Sequence, residues 1–320
     1  MRSGGLLLVV CAACTAPARE NFVAQDVNVM QCGSGLPEGV DVFANTGTID
    51  WTKLAASGRS FAFIKATQGD YNVQSTFPAQ WSAALAAGVL RSPYHFFDAT
   101  SDAVGQAKAF LAELTMAGGL QVGDLPPMLD IECPTASTKA ASEAGCEGGT
   151  DSGWVAPATL ATDIFDWLDY VQQATGTTPI LYSYVSWFAD VELTDPRLAG
   201  YPLFIASYPT GKQDPNCAAV PPPWTAATFW QYSATTTVPG IAAAGDVDRF
   251  FGSAADLAKL TVQPPAPPMV DAGVLPDAPG PTPHHTGGCM SSDAPSPWWL
   301  VGFGVLVIGI RSRRKVARRS

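Results

Sequence analysis

Phe61-Ala62-Phe63-Ile64-Lys65-Ala66-Thr67 is a run of aromatic, β-branched and small residues, and residues 89–97 repeat that texture further along the chain. Between them Thr76 stands at a helix-cap position, Pro78 falls in a first helical turn, and Gly88 follows as a stop. Strand, helix and strand in succession make two parallel neighbours joined by a crossover helix. The same alternation continues in both directions. Strands are expected at residues 39–44, 128–132, 179–184, 202–208, 228–233 and 246–250. Helices are expected at 50–57, stopped by Gly58, at 102–117, stopped by Gly118-Gly119, and at 254–260. A further helix at 157–175 carries Ile164, Leu168 and Val171 on one face and Gly176 behind it. Eight strands in an α/β chain suggest a mostly parallel sheet closed into a (β/α)8-like, TIM-type barrel, with its helices reduced in the second half.

Apolar residues make up 47% of the 320, enough for a large core. Six of the 18 basic residues fall in the last ten positions, so residues 1–310 hold 12 basic and 28 acidic residues, a net −16. So acidic a body excludes nucleic acid as a partner and gives no bulk attraction to an anionic polymer.

The ends read as targeting signals. Arg2, an apolar run at residues 6–13 and the small triplet Ala16-Pro17-Ala18 resemble a secretory signal peptide over residues 1–18. Cys14 after Ala12-Ala13 also resembles a lipoprotein cleavage site. Residues 263–294 are Pro-rich without an apolar period and read as a linker. Residues 295–320 join a short apolar segment to the cluster Arg311-Ser312-Arg313-Arg314-Lys315, which implies membrane contact and an exported, surface-held or extracellular protein. Cys289, the apolar segment and the arginine cluster together resemble the C-terminal sorting tails of myxobacterial surface proteins. In an exported chain, Cys133–Cys146 is the preferred disulfide and Cys32–Cys217 the remaining pair. No metal site is expected, since residues 33–262 hold one histidine and no CxxC pair.

Asp130-Ile131-Glu132 carries the chemistry. Side chains two apart on a strand share a face, so the two carboxyls stand together at the end of the fourth strand. Like charges held that close push their pKa values apart, which equips a pair for acid-catalysed glycoside cleavage. Asp41 and Asp246 (or Asp248) fall near the ends of the first and last strands, which are neighbours if the barrel closes. Aromatic residues recur at strand ends, where sugar rings can stack. Lys65, Tyr94, His95, Phe96, Tyr182, Tyr208, Trp230 and Gln231 are the expected substrate-binding residues. Asp50 and Asp98 read as turn or cap residues instead.

Gly39-Val40-Asp41-Val42-Phe43, Phe61 through Gly69, Tyr94-His95-Phe96, Leu129-Asp130-Ile131-Glu132, Phe229-Trp230-Gln231-Tyr232 and Asp246-Val247-Asp248-Arg249-Phe250 resemble, in that order, glycoside hydrolase family 25, the Chalaropsis-type lysozymes. The resemblance implies a flattened β/α barrel at residues 33–262 that acts as a cofactor-free monomer on peptidoglycan glycan strands. It would cleave the β-1,4 bond between N-acetylmuramic acid and N-acetylglucosamine. By position, Glu132 resembles the general acid, Asp130 its partner, and Asp41 and Asp246 the other site carboxylates. In this reading Glu132 holds a proton near neutral pH while Asp130 is ionised. Gln68 departs from the family, where glutamate is frequent after Lys-Ala-Thr. Two other functions share these features: a chitinase-like glycosidase, and a wall-binding module without activity.

Overall fold

The computed structural model describes residues 28–133 and 155–264. Its strands are β1 (Val29–Cys32), β2 (Glu38–Val42), β3 (Arg59–Gln68), β4 (Asn72–Val73), β5 (Leu90–Phe96), β6 (Met128–Asp130), β7 (Ile180–Tyr184), β8 (Leu203–Ala206), β9 (Cys217–Val220), β10 (Phe229–Thr237) and β11 (Ala244–Phe250). The helices are α1 (Trp51–Ala56), α2 (Phe77–Ala86), α3 (Ala103–Met116), α4 (Pro157–Thr175), α5 (Trp187–Asp190) and α6 (Ala254–Leu260). The signal and tail segments, and all but residues 263–264 of the linker, lie outside the described residues.

Eight strands close on themselves in the order β2-β11-β10-β8-β7-β6-β5-β3, with β3 pairing back to β2. These are the eight expected from sequence. Strands β2, β3, β5, β6, β7, β8 and β10 run parallel. The last does not: β11 is antiparallel to both β10 and β2. The cause is local. Only a short reversal around Pro239-Gly240 separates β10 from β11, and a parallel return needs a crossover of a dozen residues or more. The second half is indeed poor in helix: α5 has four residues, and no helix among the described residues lies between β8 and β10.

Alternation along the strands builds two cores. Phe61, Phe63, Phe204, Phe229 and Phe250 point into the barrel and fill its floor. Phe63 meets Phe229 edge-on at 5.1 Å, and Phe61 meets Phe229 at 5.3 Å. Such pairs add about 0.5–1.5 kcal/mol each beyond their buried area. The intervening residues, Val40, Ala62, Ile64 and Leu129, face outward and pack under Trp81, Phe110, Trp167 and Leu168 of the helices. Buried in this outer layer, Arg91 donates to both carboxyl oxygens of Asp124 at 2.7 and 3.1 Å and to the Trp81 carbonyl. It ties α2 to the segment that leads into β6.

Strands β1 and β9, not foreseen in the sequence, form a separate antiparallel ribbon in which Cys32 stands opposite Cys217. The two are disulfide-bonded across 185 residues of chain, as expected. Cys133 is also disulfide-bonded, while Cys146, its expected partner, lies outside the described residues.

Two outcomes test this architecture. A Cβ on Gly39 would sit 2.3 Å from the ring of fully buried Phe61. Gly39→Val therefore lowers stability by about 1–3 kcal/mol, read as a drop in the urea midpoint; an unchanged midpoint would refute that packing. Cys32→Ser with Cys217→Ser frees a long loop in the unfolded chain and costs about 2–4 kcal/mol, read as a lower thermal midpoint than the parent.

Candidate active site

The C-terminal ends of the parallel strands open into a cavity of about 440 Å³. Asp41, Lys65, Tyr94, Phe96, Asp130, Glu132, Tyr182, Tyr208, Gln231 and Asp246 all line it. The direction of β11 is what puts Asp246 there. Asp246 lies near the start of its strand, and only an antiparallel strand starts at the end where its neighbours finish. The expectation that this acid closes a parallel strand is thus corrected, while its place in the mouth stands.

His95 and Trp230 do not reach the cavity. Each sits between two residues that point inward, so strand alternation sends it outward. His95 is wholly buried against Trp167, its ring 5.6 Å away and stacked. Its Nε2 meets Gln106 Oε1 at 3.0 Å and its Nδ1 meets Thr67 Oγ1 at 2.7 Å. Gln106 uses its own N–H groups on the carbonyls of Asp98 and Ser101, so His95 donates through Nε2 and accepts at Nδ1. Burial pulls its pKa down to about 4, and it is a neutral structural residue. Trp230 is buried among the outer residues and donates Nε1–H to the Ser207 carbonyl at 2.6 Å. Tyr184, one of the aromatics expected at strand ends, lines the cavity, and Phe43, Met128 and Ala206 line it without having been expected there. The signal was present for all three unexpected residues: each stands two residues from an inward-facing strand position.

The four acids form two pairs. Asp130 and Glu132 hydrogen-bond each other, and so do Asp41 and Asp246. In the barrel order β11 lies four strands from β6, so Asp246 faces the Asp130 wall across the mouth. Gln231 fixes one pair: its Oε1 accepts from the hydroxyls of Tyr182, at 3.0 Å, and Tyr208, leaving its Nε2 to donate to Asp41. Near the other pair, Lys65 donates to Gln68 Oε1 at 2.9 Å and lies 4.4 Å over the Phe96 ring.

Burial, then the charges of Asp246 and Asp248, holds the Asp41 carboxyl well above the usual carboxylate range. Burial, then Glu132, does the same to Asp130, against the opposing pull of Lys65. Asp246, less enclosed, is raised to about 6, mainly by burial. Burial and the neighbouring Glu132 thus work against the ionised Asp130 expected from sequence. Asp98 and Asp50 cap local turns, as expected. Among the described residues no cluster of ligating side chains could hold a metal.

Asp248, two residues along β11, points into the barrel below the cavity. It is fully buried, and neither carboxyl oxygen has a hydrogen-bond partner among the described residues. Burial and then Asp246 raise it well above the usual range. A raised folded-state pKa means that folding takes up a proton, so stability falls as pH climbs from about 4 through the folded value. Asp248→Asn removes that penalty. Its gain over the parent in urea unfolding should be small at pH 4 and reach about 1–3 kcal/mol at pH 7; equal gains at both values would contradict the burial of an ionisable group here.

Known proteins agree with this geometry. Residues 40–241 match the model for glycosyl hydrolases family 25. Lysozyme M1 of Streptomyces globisporus is 33% identical over 229 residues, 70% of this chain and 70% of its own length. The N,O-diacetylmuramidase of a Chalaropsis species is 26% identical over 205 residues, 61% of this chain and 87% of its own. The crystal structure of the bacterial lysozyme from Streptomyces coelicolor superposes with a TM-score of 0.61 at 30% identity, covering 72% of this chain and 98% of that one. The match spans all but the last strand of the barrel and carries three of the four facing acids, and the chain belongs to glycosyl hydrolases family 25.

Proposed function

We propose that this protein is a lysozyme-type muramidase that cleaves the β-1,4 bond between N-acetylmuramic acid and N-acetylglucosamine in peptidoglycan. The observation that carries this reading is the meeting of two carboxyl pairs across one aromatic-walled cavity. Relatives named lysozyme and N,O-diacetylmuramidase support the choice of substrate.

Glu132 is half-exposed in the cavity while Asp130 is only 5% exposed, so Glu132 is the member that meets the sugar. The proton shared by the pair passes through Glu132 to the leaving glycosidic oxygen. Asp130, in hydrogen-bond contact with Glu132, is nearer than the roughly 5–5.5 Å that separates an acid from a nucleophile across a sugar ring. It therefore works on the same side as the acid, reprotonating Glu132 or orienting the substrate's acetamido group. Asp246 and Asp41, on the facing wall, balance the positive charge that develops at the anomeric carbon. Tyr182 and Tyr208 keep Gln231, and through it Asp41, in place. Lys65 limits the build-up of negative charge beside Asp130. The enzyme acts outside the cytoplasm, where its disulfides persist. Its residues 1–18 direct export, and residues 295–320 hold it at the membrane, transiently or stably. Among the described residues no helix is long and apolar enough to cross a membrane.

Glu132→Gln keeps the shape and removes the transferable proton. Release of reducing ends from purified peptidoglycan should fall by about 10²–10⁴-fold at an unchanged thermal midpoint. Near-parental release would remove Glu132 from the acid role.

A further inference from the structure

Lys65 and Gln68 stand three residues apart on β3, a spacing that turns side chains to opposite faces of a regular strand. They meet on the inner face because the ladder between β3 and β5 shifts register between Lys65 and Thr67. Lys65 pairs with Tyr94, Thr67 with His95 and Gln68 with Phe96, so β3 accommodates one extra residue. Ala66 and Thr67 both turn outward: Ala66 packs in the outer core and Thr67 bonds His95. Bulges of this kind re-aim a side chain. Here the bulge brings the Gln68 amide to the Lys65 ammonium, with 2.9 Å between Oε1 and Nζ.

Gln68 is buried, and its amide is held in one sense. Its Oε1 accepts from Lys65, and its Nε2 donates to the Tyr71 hydroxyl, which in turn donates to Asp98. The chain needs an acceptor on one side and a donor on the other, which an amide supplies and a carboxylate does not. Lys65, also buried, lies 4.4 Å over the Phe96 ring, and Phe96 stands between Gln68 and Asp130 in the sheet. Neither the ring nor the amide carries a charge that would cancel the ammonium's. Among the described residues lining the cavity Lys65 is the only cation, set against Asp41, Asp130, Glu132 and Asp246.

Burial and Glu132 raise the Asp130 carboxyl, and Lys65 opposes them. The other titratable groups that face the pair are Asp41 and Asp246 across the mouth and Tyr94 and Tyr182 on the walls. Neutral His95 lies behind β5, and Asp98 and Asp70 lie beyond Tyr71. None of these offers a positive charge to the pair. Resting on the muramidase reading, we propose that Gln68 is a positioning residue: it holds the Lys65 ammonium with an uncharged oxygen, so that the ammonium's charge acts on the Asp130–Glu132 pair and sets the pH range in which that pair transfers its proton. A carboxylate in its place would form an ion pair with Lys65 and offset that charge. Both apparent pKa values of the pair would then rise.

Three variants of the full chain test the role, each followed by two readouts. One is the pH dependence of kcat/KM for reducing-end release from peptidoglycan; the other, which needs no activity, is carbon-13 titration of the Asp130 and Glu132 carboxyls. Gln68→Glu should move the midpoints up by about half a pH unit. Lys65→Met removes the charge outright and should move them up at least as far. Gln68→Met keeps the size without a charge and should leave them no higher than in the parent, whatever it does to the thermal midpoint. Circular dichroism reports the folded state, and if Gln68→Glu does not fold, the two methionine variants decide. Unmoved midpoints in Gln68→Glu or Lys65→Met, or an equal rise in Gln68→Met, overturn the proposal. Raised carboxyl midpoints with no reducing-end release by the parent uphold the role of Gln68 and reject the muramidase reading; release by the parent with unmoved midpoints does the reverse.

Discussion

Strand β11 pairs antiparallel with β2 on one side and β10 on the other, and this double pairing closes the sheet. Much else depends on it. Closure leaves the barrel without an exposed edge at that point. It gives the interior phenylalanines a common centre, with Phe250 of β11 meeting Phe229 at 5.2 Å. Because the strand enters from the mouth, its first inward residue, Asp246, arrives among the C-terminal ends of its neighbours. A parallel β11 would carry Asp246 to the opposite end.

The resulting site is electrostatically expensive. Four carboxylates share one cavity, and a fifth, Asp248, lies below them without a hydrogen-bond partner. Separate ionisation of all five would set like charges against one another in a poorly solvated space. Hydrogen bonding within each pair, Asp130 with Glu132 and Asp41 with Asp246, reduces the cost. The floor of aromatic rings supplies the opposing stability and at the same time lowers the solvation of the acids above it.

Much of this was legible in the sequence. Eight strands stood where texture and punctuation placed them, and Asp130 and Glu132 came together because they are two residues apart. His95 and Trp230 show where that reading fell short. Each was grouped with its neighbours in an aromatic run, although a strand turns consecutive side chains to opposite faces. Applying the period of two strictly would have removed both and brought in Phe43, Met128 and Ala206. The sense of β11 could have been suspected from the short turn before it. The ribbon β1–β9 could not, since its two strands are far apart in the chain and neither has a strong apolar pattern.

The sequence by itself determined the α/β class, the strand positions, the local pairing of Asp130 with Glu132 and the family resemblance, because each rests on residues close together in the chain. The tertiary structure alone decided which acids face each other, that Asp41 meets Asp246, and that Asp248 is buried without a hydrogen-bond partner among the described residues. Those relations join residues separated by much of the chain, and they follow from barrel closure, strand direction and the exclusion of water, which no local pattern encodes.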